Sequence, residues 1–290
     1  MSEVVRRKES RLYGSEVSEK NAQGRVADLY GDIRETLGLG MVNLIYRRMA
    51  TSEGVLEWVW DSIRDVAGSC EVERQLIQVQ EDVRWPRLAR VDLASLPLLG
   101  INEVGMGRLM SVLTEYNRGN RLNLLLLSAF IELQKQGGSV SNERRSRQRP
   151  KVADRSDLVP ILDLDQMEPQ TQALVGVLAR YVSPPGRPMV PSLFRHLAHW
   201  PGFLALVAPH ILQSIADGQI EKISDNLKKF TSEGAPGLAR EMSVPNFKEP
   251  PTMETRGYWL GEIVAYLAKP IPEMIVIGYM IESILPLKET

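Results

Sequence analysis

The sequence predicts an all-α protein of two tandem homologous helical repeats forming an intramolecular pseudo-dimer. Apolar residues recur at helical spacing through most of the chain, and no stretch sustains the period-two alternation of a β-strand. One segment of the first half also reads again, without gaps, in the second.

The first elements follow in chain order. Residues 1–23 are polar and unpatterned, which predicts a flexible N-terminal arm. From Val26, apolar side chains at Leu29, Tyr30, Ile33 and Leu37 give the rhythm of an amphipathic helix that Gly38 and Gly40 would end. Helical patterns recur at 42–50, 54–66, 72–79, 107–116 and 122–134, several separated by glycine or proline. These make a first repeat over residues 24–134. Residues 135–159 then change character, with five basic side chains (Arg144, Arg145, Arg147, Arg149, Lys151) among serines and glycines. This reads as an exposed linker. An RNA-binding arm is the sharper alternative, but no aromatic residues interleave the charges.

A second repeat, 160–290, is predicted by direct comparison. Residues 41–63 align on 189–211 with identities at Met41/Met189, Val42/Val190, Arg47/Arg195, Ala50/Ala198, Gly54/Gly202, Leu56/Leu204, Val59/Val207 and Ile63/Ile211. Further along, Tyr116 falls on Tyr266 and Glu132 on Glu282; upstream, Leu29 falls on Leu174. A period that persists at three places points to duplication. Any pocket is then expected where the halves meet.

Bulk properties narrow the function classes. The chain has 290 residues, a formal net charge of −1 and one cysteine, Cys70. That balance gives no global attraction to nucleic acid or anionic membranes, and a lone cysteine excludes an internal disulfide or a redox pair. The apolar run 122–133 is too short to span a bilayer, and 271–287 carries Glu273 and Glu282, so both read as buried helices. No apolar core follows the charges of the first residues, so no secretory signal is expected and a cytoplasmic location is. No dinucleotide fingerprint, phosphate loop or serine-nucleophile elbow occurs, and no cofactor is expected.

The runs ADLYGDIRETL, EYNRGNRLNLLLLSAFIELQ and SLFRHLAHWP, in this order and spacing, resemble the group I (DL-) 2-haloacid dehalogenases over about Val26 to Leu285. The resemblance implies an all-α two-repeat fold, usually assembled as a homodimer. It also implies hydrolysis of the carbon–halogen bond of either enantiomer of a short 2-haloacid. In that family an aspartate activates a water that attacks the substrate carbon directly. The aspartate belongs to a Ser-Asp-Phe motif shortly before Ala-Asn-Trp-Pro. Here the motif reads Ser192-Leu193-Phe194 and then Ala198-His199-Trp200-Pro201, so Leu193 stands where the base belongs. Asn120, Ser192 and Tyr266 match polar pocket positions of the family, and Met41 and Leu44 match two pocket-wall positions. Trp200 reads as core or pocket wall.

A leucine cannot accept the proton that water must lose. His196, three residues on and on the same helical face, is a candidate substitute base, although a histidine on an amphipathic helix is also an ordinary structural residue. His196 and His199 could share a metal ion, but no Asp, Glu or Cys stands nearby at ligand spacing, and no metal is expected. Asn120 reads either as the N-cap of the following apolar helix or as a pocket ligand. The expected function is an enzyme acting on a small organic acid or similar compound, with the usual aspartate-activated water lost. The alternatives are a non-catalytic small-molecule-binding protein and a haloacid dehalogenase using His196 as base.

Overall fold

The computed structural model describes residues 13–136, 158–242 and 250–286. Among them there is no β-strand, and the fold is all-α. The helices are α1 (Gly24–Leu37), α2 (Leu44–Met49), α3 (Val55–Ala67), α4 (Cys70–Asp82), α5 (Glu103–Lys135), α6 (Pro169–Val182), α7 (Ser192–Leu197), α8 (Pro201–Ala216), α9 (Gln219–Ala239), α10 (Met253–Ala268) and α11 (Pro270–Ile284). Most residues of the predicted arm and linker, 1–12 and 137–157, lie outside the described residues, and so do the five basic side chains. The described part of the arm is tied down. Val17 N–H donates to the Arg47 carbonyl, and the Tyr30 hydroxyl donates to the Val17 carbonyl.

Local sequence explains the helix ends. Gly38 closes α1 with φ 63°, a left-handed conformation that only glycine adopts at little cost. Ser69 opens α4 by accepting from Val72 N–H, and Asn102 opens α5 by accepting from Gly105 N–H. Pro270 divides α10 from α11, because its ring cannot continue the preceding turn. Lys228 donates to the Ala268 carbonyl left at that break.

The two patterns expected at 107–116 and 122–134 are one helix. The α5 helix runs unbroken for 33 residues. The intervening polar residues do not end it because their side chains are used from within. Arg118 donates to the Leu37 carbonyl and pairs with Glu73, and Arg121 donates to the Asn117 and Leu76 carbonyls. Such tertiary contacts outweigh the roughly 1 kcal/mol that a mid-helix glycine costs. Downstream, α5 is buried nearly all round at Leu122, Leu124–Leu127, Ala129 and Phe130, so it is the axis of the fold. Against it pack α3, with Trp58 edge-on to Phe130 at 5.1 Å, and α9 to α11. Each large side chain buried there contributes about 1.5–3 kcal/mol.

The stretch 253–284 is long and apolar enough to cross a membrane, but 67% of its most apolar window is buried inside the fold. It also carries Glu262, Glu273 and Glu282. Its apolar surface is used as core.

Close approach of α5 and α11 depends on Gly278. A Cβ there would collide with Asn117 Oδ1, whose amide donates to Glu282 at 2.7 Å. Gly278→Ala should therefore lower stability by about 1–3 kcal/mol in urea unfolding. Gly107→Ala, on the open face of α5 with no neighbour within 4 Å, should be neutral or stabilise by up to about 1 kcal/mol. Equal effects of the two substitutions would contradict this packing.

Candidate functional site

The sequence-predicted site residues divide into two groups. Leu44, Asn120, Ser192, Leu193 and Tyr266 line one cavity, together with Asn43, Ile45, Tyr116, Asn123, Met189, Pro191, Pro270, Ile271 and Met274. Its walls come from α2, the middle of α5, the start of α7 and the α10–α11 break. The cavity volume is about 40 Å³, room for only a few atoms where one water needs roughly 10–15 Å³.

Met41, Trp200 and His196 do not line it. Met41 and His196 border a different cleft of about 270 Å³ with Arg47, Val159 and Pro160. Trp200 is buried beside Gly105 at the start of α5, and Gly202 packs on the backbone of Leu99. His196 shares a helical face with Leu193, but the Tyr116 ring stands against it at 5.5 Å and keeps it off the cavity.

Asn120 is not a helix cap, because it sits inside α5 and 9% exposed. Asn123 follows one turn later and 1% exposed. Asn43 precedes α2 but makes no capping bond. Its amide rests on Gly119, where a Cβ would come within 2.9 Å of Oδ1. Glycine is thus required at 119 so that the asparagine can pack on α5 and still face the cavity. Asn43 Oδ1 and Asn123 Oδ1 are buried and find no partner among the described residues.

A chain of polar side chains lies behind the other wall. Arg47 donates to Ser192 Oγ at 2.7 Å. The Tyr116 hydroxyl is 2.9 Å from His196 Nδ1. His196 Nε2 is 2.8 Å from the Val159 carbonyl. A carbonyl only accepts, so Nε2 carries the hydrogen and Nδ1 accepts from Tyr116. Burial pushes the imidazole down to about 3, and it stays neutral. Its one lone pair is taken by Tyr116. Burial likewise raises the Tyr116 phenol above the usual range. Burial also takes the Tyr266 phenol up to about 12, against the opposing pull of Arg48, whose guanidinium donates to Tyr266 Oη at 2.6 Å.

The chain starts from a charge cluster. Arg47 and Arg195, the pair matched in the sequence comparison, grip the two oxygens of Glu16, and Arg195 also pairs with Asp163. Burial alone would raise the Glu16 carboxyl, but Arg47 and Arg195 outweigh it and hold it below the usual carboxylate range.

No Asp, Glu, His, Lys, Arg or Cys among the described residues lines the cavity. Among the described residues no three His, Cys, Asp or Glu side chains cluster as metal ligands. His199 Nε2 meets the Pro160 carbonyl at 2.8 Å, and Cys70 is exposed. Sequence reading missed Asn123 and Asn43. The three-residue spacing of Asn120 and Asn123 would have marked the first, had α5 been read as continuous.

The comparisons with known proteins agree with this architecture. No protein-family model matches the chain. It is 27% identical over 220 residues to a configuration-inverting 2-haloacid dehalogenase of Alcaligenes xylosoxydans xylosoxydans, covering 70% of each chain. It is 26% identical to a configuration-inverting 2-haloacid dehalogenase of Pseudomonas sp. (strain 113), covering 79% of this chain and 78% of the relative. Among solved structures, a D-2-haloacid dehalogenase with L-LA superposes with a TM-score of 0.68 at 14% identity, over 93% of this chain and 96% of the other. A D-2-haloacid dehalogenase mutant with D-2-CPA gives 0.67 over the same shares. The structural matches show the fold, and the sequence matches show a haloacid dehalogenase-like relationship.

The neutral His196 fixes a pH dependence. Its folded pKa, about 3, lies below the ordinary 6.5, so the unfolded chain binds more protons between these values. Stability should be flat above about pH 6.5 and fall as pH drops below it. The urea midpoint should show this decline, with a smaller slope in His196→Gln. That comparison separates His196 from Glu273 and Glu282, whose burial-raised carboxyls give slopes of opposite sign. Identical slopes in both proteins would show that the imidazole is not held neutral.

Proposed function

We propose that this chain is a dehalogenase-like protein whose cavity takes a small organic acid or related compound, and whose chemistry no longer runs through an aspartate-activated water. One observation carries the reading. Leu193, at the position that the resemblance gives to the base, is 1% exposed on the wall of a cavity that no Asp, Glu, His, Lys or Cys among the described residues lines. Hydrolytic displacement of halide needs a group to take the water's proton, and such a base supplies about 10²–10⁴-fold in rate.

The reading includes the architecture. Residues 24–134 and 160–290 are two repeats, with the cavity between them. Helix order supports this: α1 and α6 both have 14 residues, and each is followed by a six-residue helix and then two longer ones. The six-residue helices α2 and α7 stand at equivalent places, and α10 with α11 takes the part of α5. The cavity draws Asn43, Leu44, Tyr116 and Asn120 from the first half and Ser192, Leu193 and Tyr266 from the second.

His196 is a poor substitute base in this reading. Its free nitrogen is occupied, its ring is neutral, and it reaches the cavity only through Tyr116. The geometry favours binding without hydrolysis over dehalogenation through His196.

Halide release from each enantiomer of 2-chloropropionate tests this in the native protein, Leu193→Asp and His196→Ala. The native protein should release little or none. Leu193→Asp should gain measurable hydrolysis, because Asn120, Asn123 and Ser192 stand beside the new carboxylate, although an unpaired buried charge will cost stability. Robust native turnover lost in His196→Ala would overturn the proposal. So would a Leu193→Asp protein that folds, binds substrate and stays inert.

A further inference from the structure

The cavity beside Leu193 has a larger neighbour. An outer cleft of about 240 Å³ is bordered by the N-terminal segment from Tyr13 to Asn21 and by Leu44, Arg48 and Val190. The two spaces touch at two places. Leu44 lines both, and Val190 lines the outer one while Met189 and Pro191 on either side of it line the inner. Leu44 is the first residue of α2 and only half-buried. The divider is therefore an aliphatic side chain with more than one staggered rotamer open to it. Joined, the spaces approach the roughly 300 Å³ at which ligand sites begin.

Arg48 stands at the junction. It follows Leu44 by one turn on the same face of α2, and its guanidinium donates to Tyr266 Oη on the inner cavity at 2.6 Å. The other charges of the outer cleft are matched: Lys20 pairs with Asp163, and Arg195 with Glu16 and Asp163. Arg48 is not. Its side chain is 13% exposed, and the bond to Tyr266 is the one hydrogen bond it makes among the described residues. Glu262 lies 3.8 Å away, beyond hydrogen-bond distance, and its other oxygen takes Arg187 at 2.6 Å. A guanidinium carries more donors than one phenol can use, and a carboxylate takes them in parallel pairs.

On the reading that the cavity beside Leu193 is the ligand site, we infer that the site has two compartments. It takes a linear carboxylic acid with a chain longer than that of a 2-halopropionate. The carboxylate pairs with Arg48 in the outer cleft. The alkyl chain passes Leu44 and lies against Leu193, Ile271 and Met274. Tyr266, bonded to Arg48 and facing the inner cavity, ties the two compartments together.

Calorimetric titration of the native protein with propanoate, hexanoate and hexanamide tests this. Hexanoate should bind more tightly than propanoate, by about fourfold for each methylene buried past Leu44. It should also bind at least about tenfold more tightly than hexanamide, which keeps the chain and lacks the charge. Arg48→Gln should bring hexanoate down to the level of hexanamide. Leu44→Trp should cancel the gain from chain length, with circular dichroism checking that each variant folds. In the native protein, hexanoate binding no tighter than propanoate, or no tighter than hexanamide, would overturn the inference and leave the organic-acid reading intact. A folded Arg48→Gln protein that still prefers hexanoate to the amide would do the same, as would a chain-length gain unchanged in folded Leu44→Trp. Absence of binding by all three compounds would overturn both.

Discussion

Arg47 is the residue on which the arrangement of the site depends. Its guanidinium is 2% exposed, and a buried charge persists only when it is paired and fully hydrogen-bonded. The protein meets that demand from three directions: Glu16 of the N-terminal segment, the Val42 carbonyl ahead of α2, and Ser192 Oγ at the start of α7. One side chain thereby fixes the N-terminal segment, the early helices and the later ones relative to each other. It also fixes the direction of its bond to Ser192, whose oxygen must accept, because a guanidinium can only donate.

The same wall limits what the cavity can do. With the Tyr116 hydrogen donated to His196 and the His196 lone pair so taken, no group among the described residues on that wall is left to accept a proton from water at neutral pH. Leu193 adds none. The polar part of the described lining is neutral: Asn43, Asn120, Asn123, Ser192, Tyr116 and Tyr266. The fold is that of D-2-haloacid dehalogenases, and the sequence relationship reaches the configuration-inverting enzymes. The site residues carry the difference.

The helical class was legible because the 3.6-residue rhythm is strong where helices pack on a core, as from Val26 to Leu37. Boundaries set by tertiary contact were less so. Residues 117–121 look like a break, and only the contacts of Arg118, Gly119 and Arg121 with neighbouring helices show why α5 continues. That misreading hid Asn123. The resemblance located Asn120, Ser192, Leu193 and Tyr266, which do meet at one cavity, while Met41 and Trp200 pack elsewhere. Glu16 was invisible because a lone carboxylate in a polar segment carries no pattern. Its role comes from Arg47 and Arg195 converging on it from distant helices.

The central claim is that the cavity beside Leu193 has no proton acceptor on its wall. A crystal structure of the native protein that resolves ordered solvent tests it most directly. The account predicts only neutral side chains within about 4 Å of Leu193, with the His196 ring held between Tyr116 and the Val159 carbonyl. A carboxylate side chain beside Leu193, or a His196 nitrogen turned into the cavity, would contradict it.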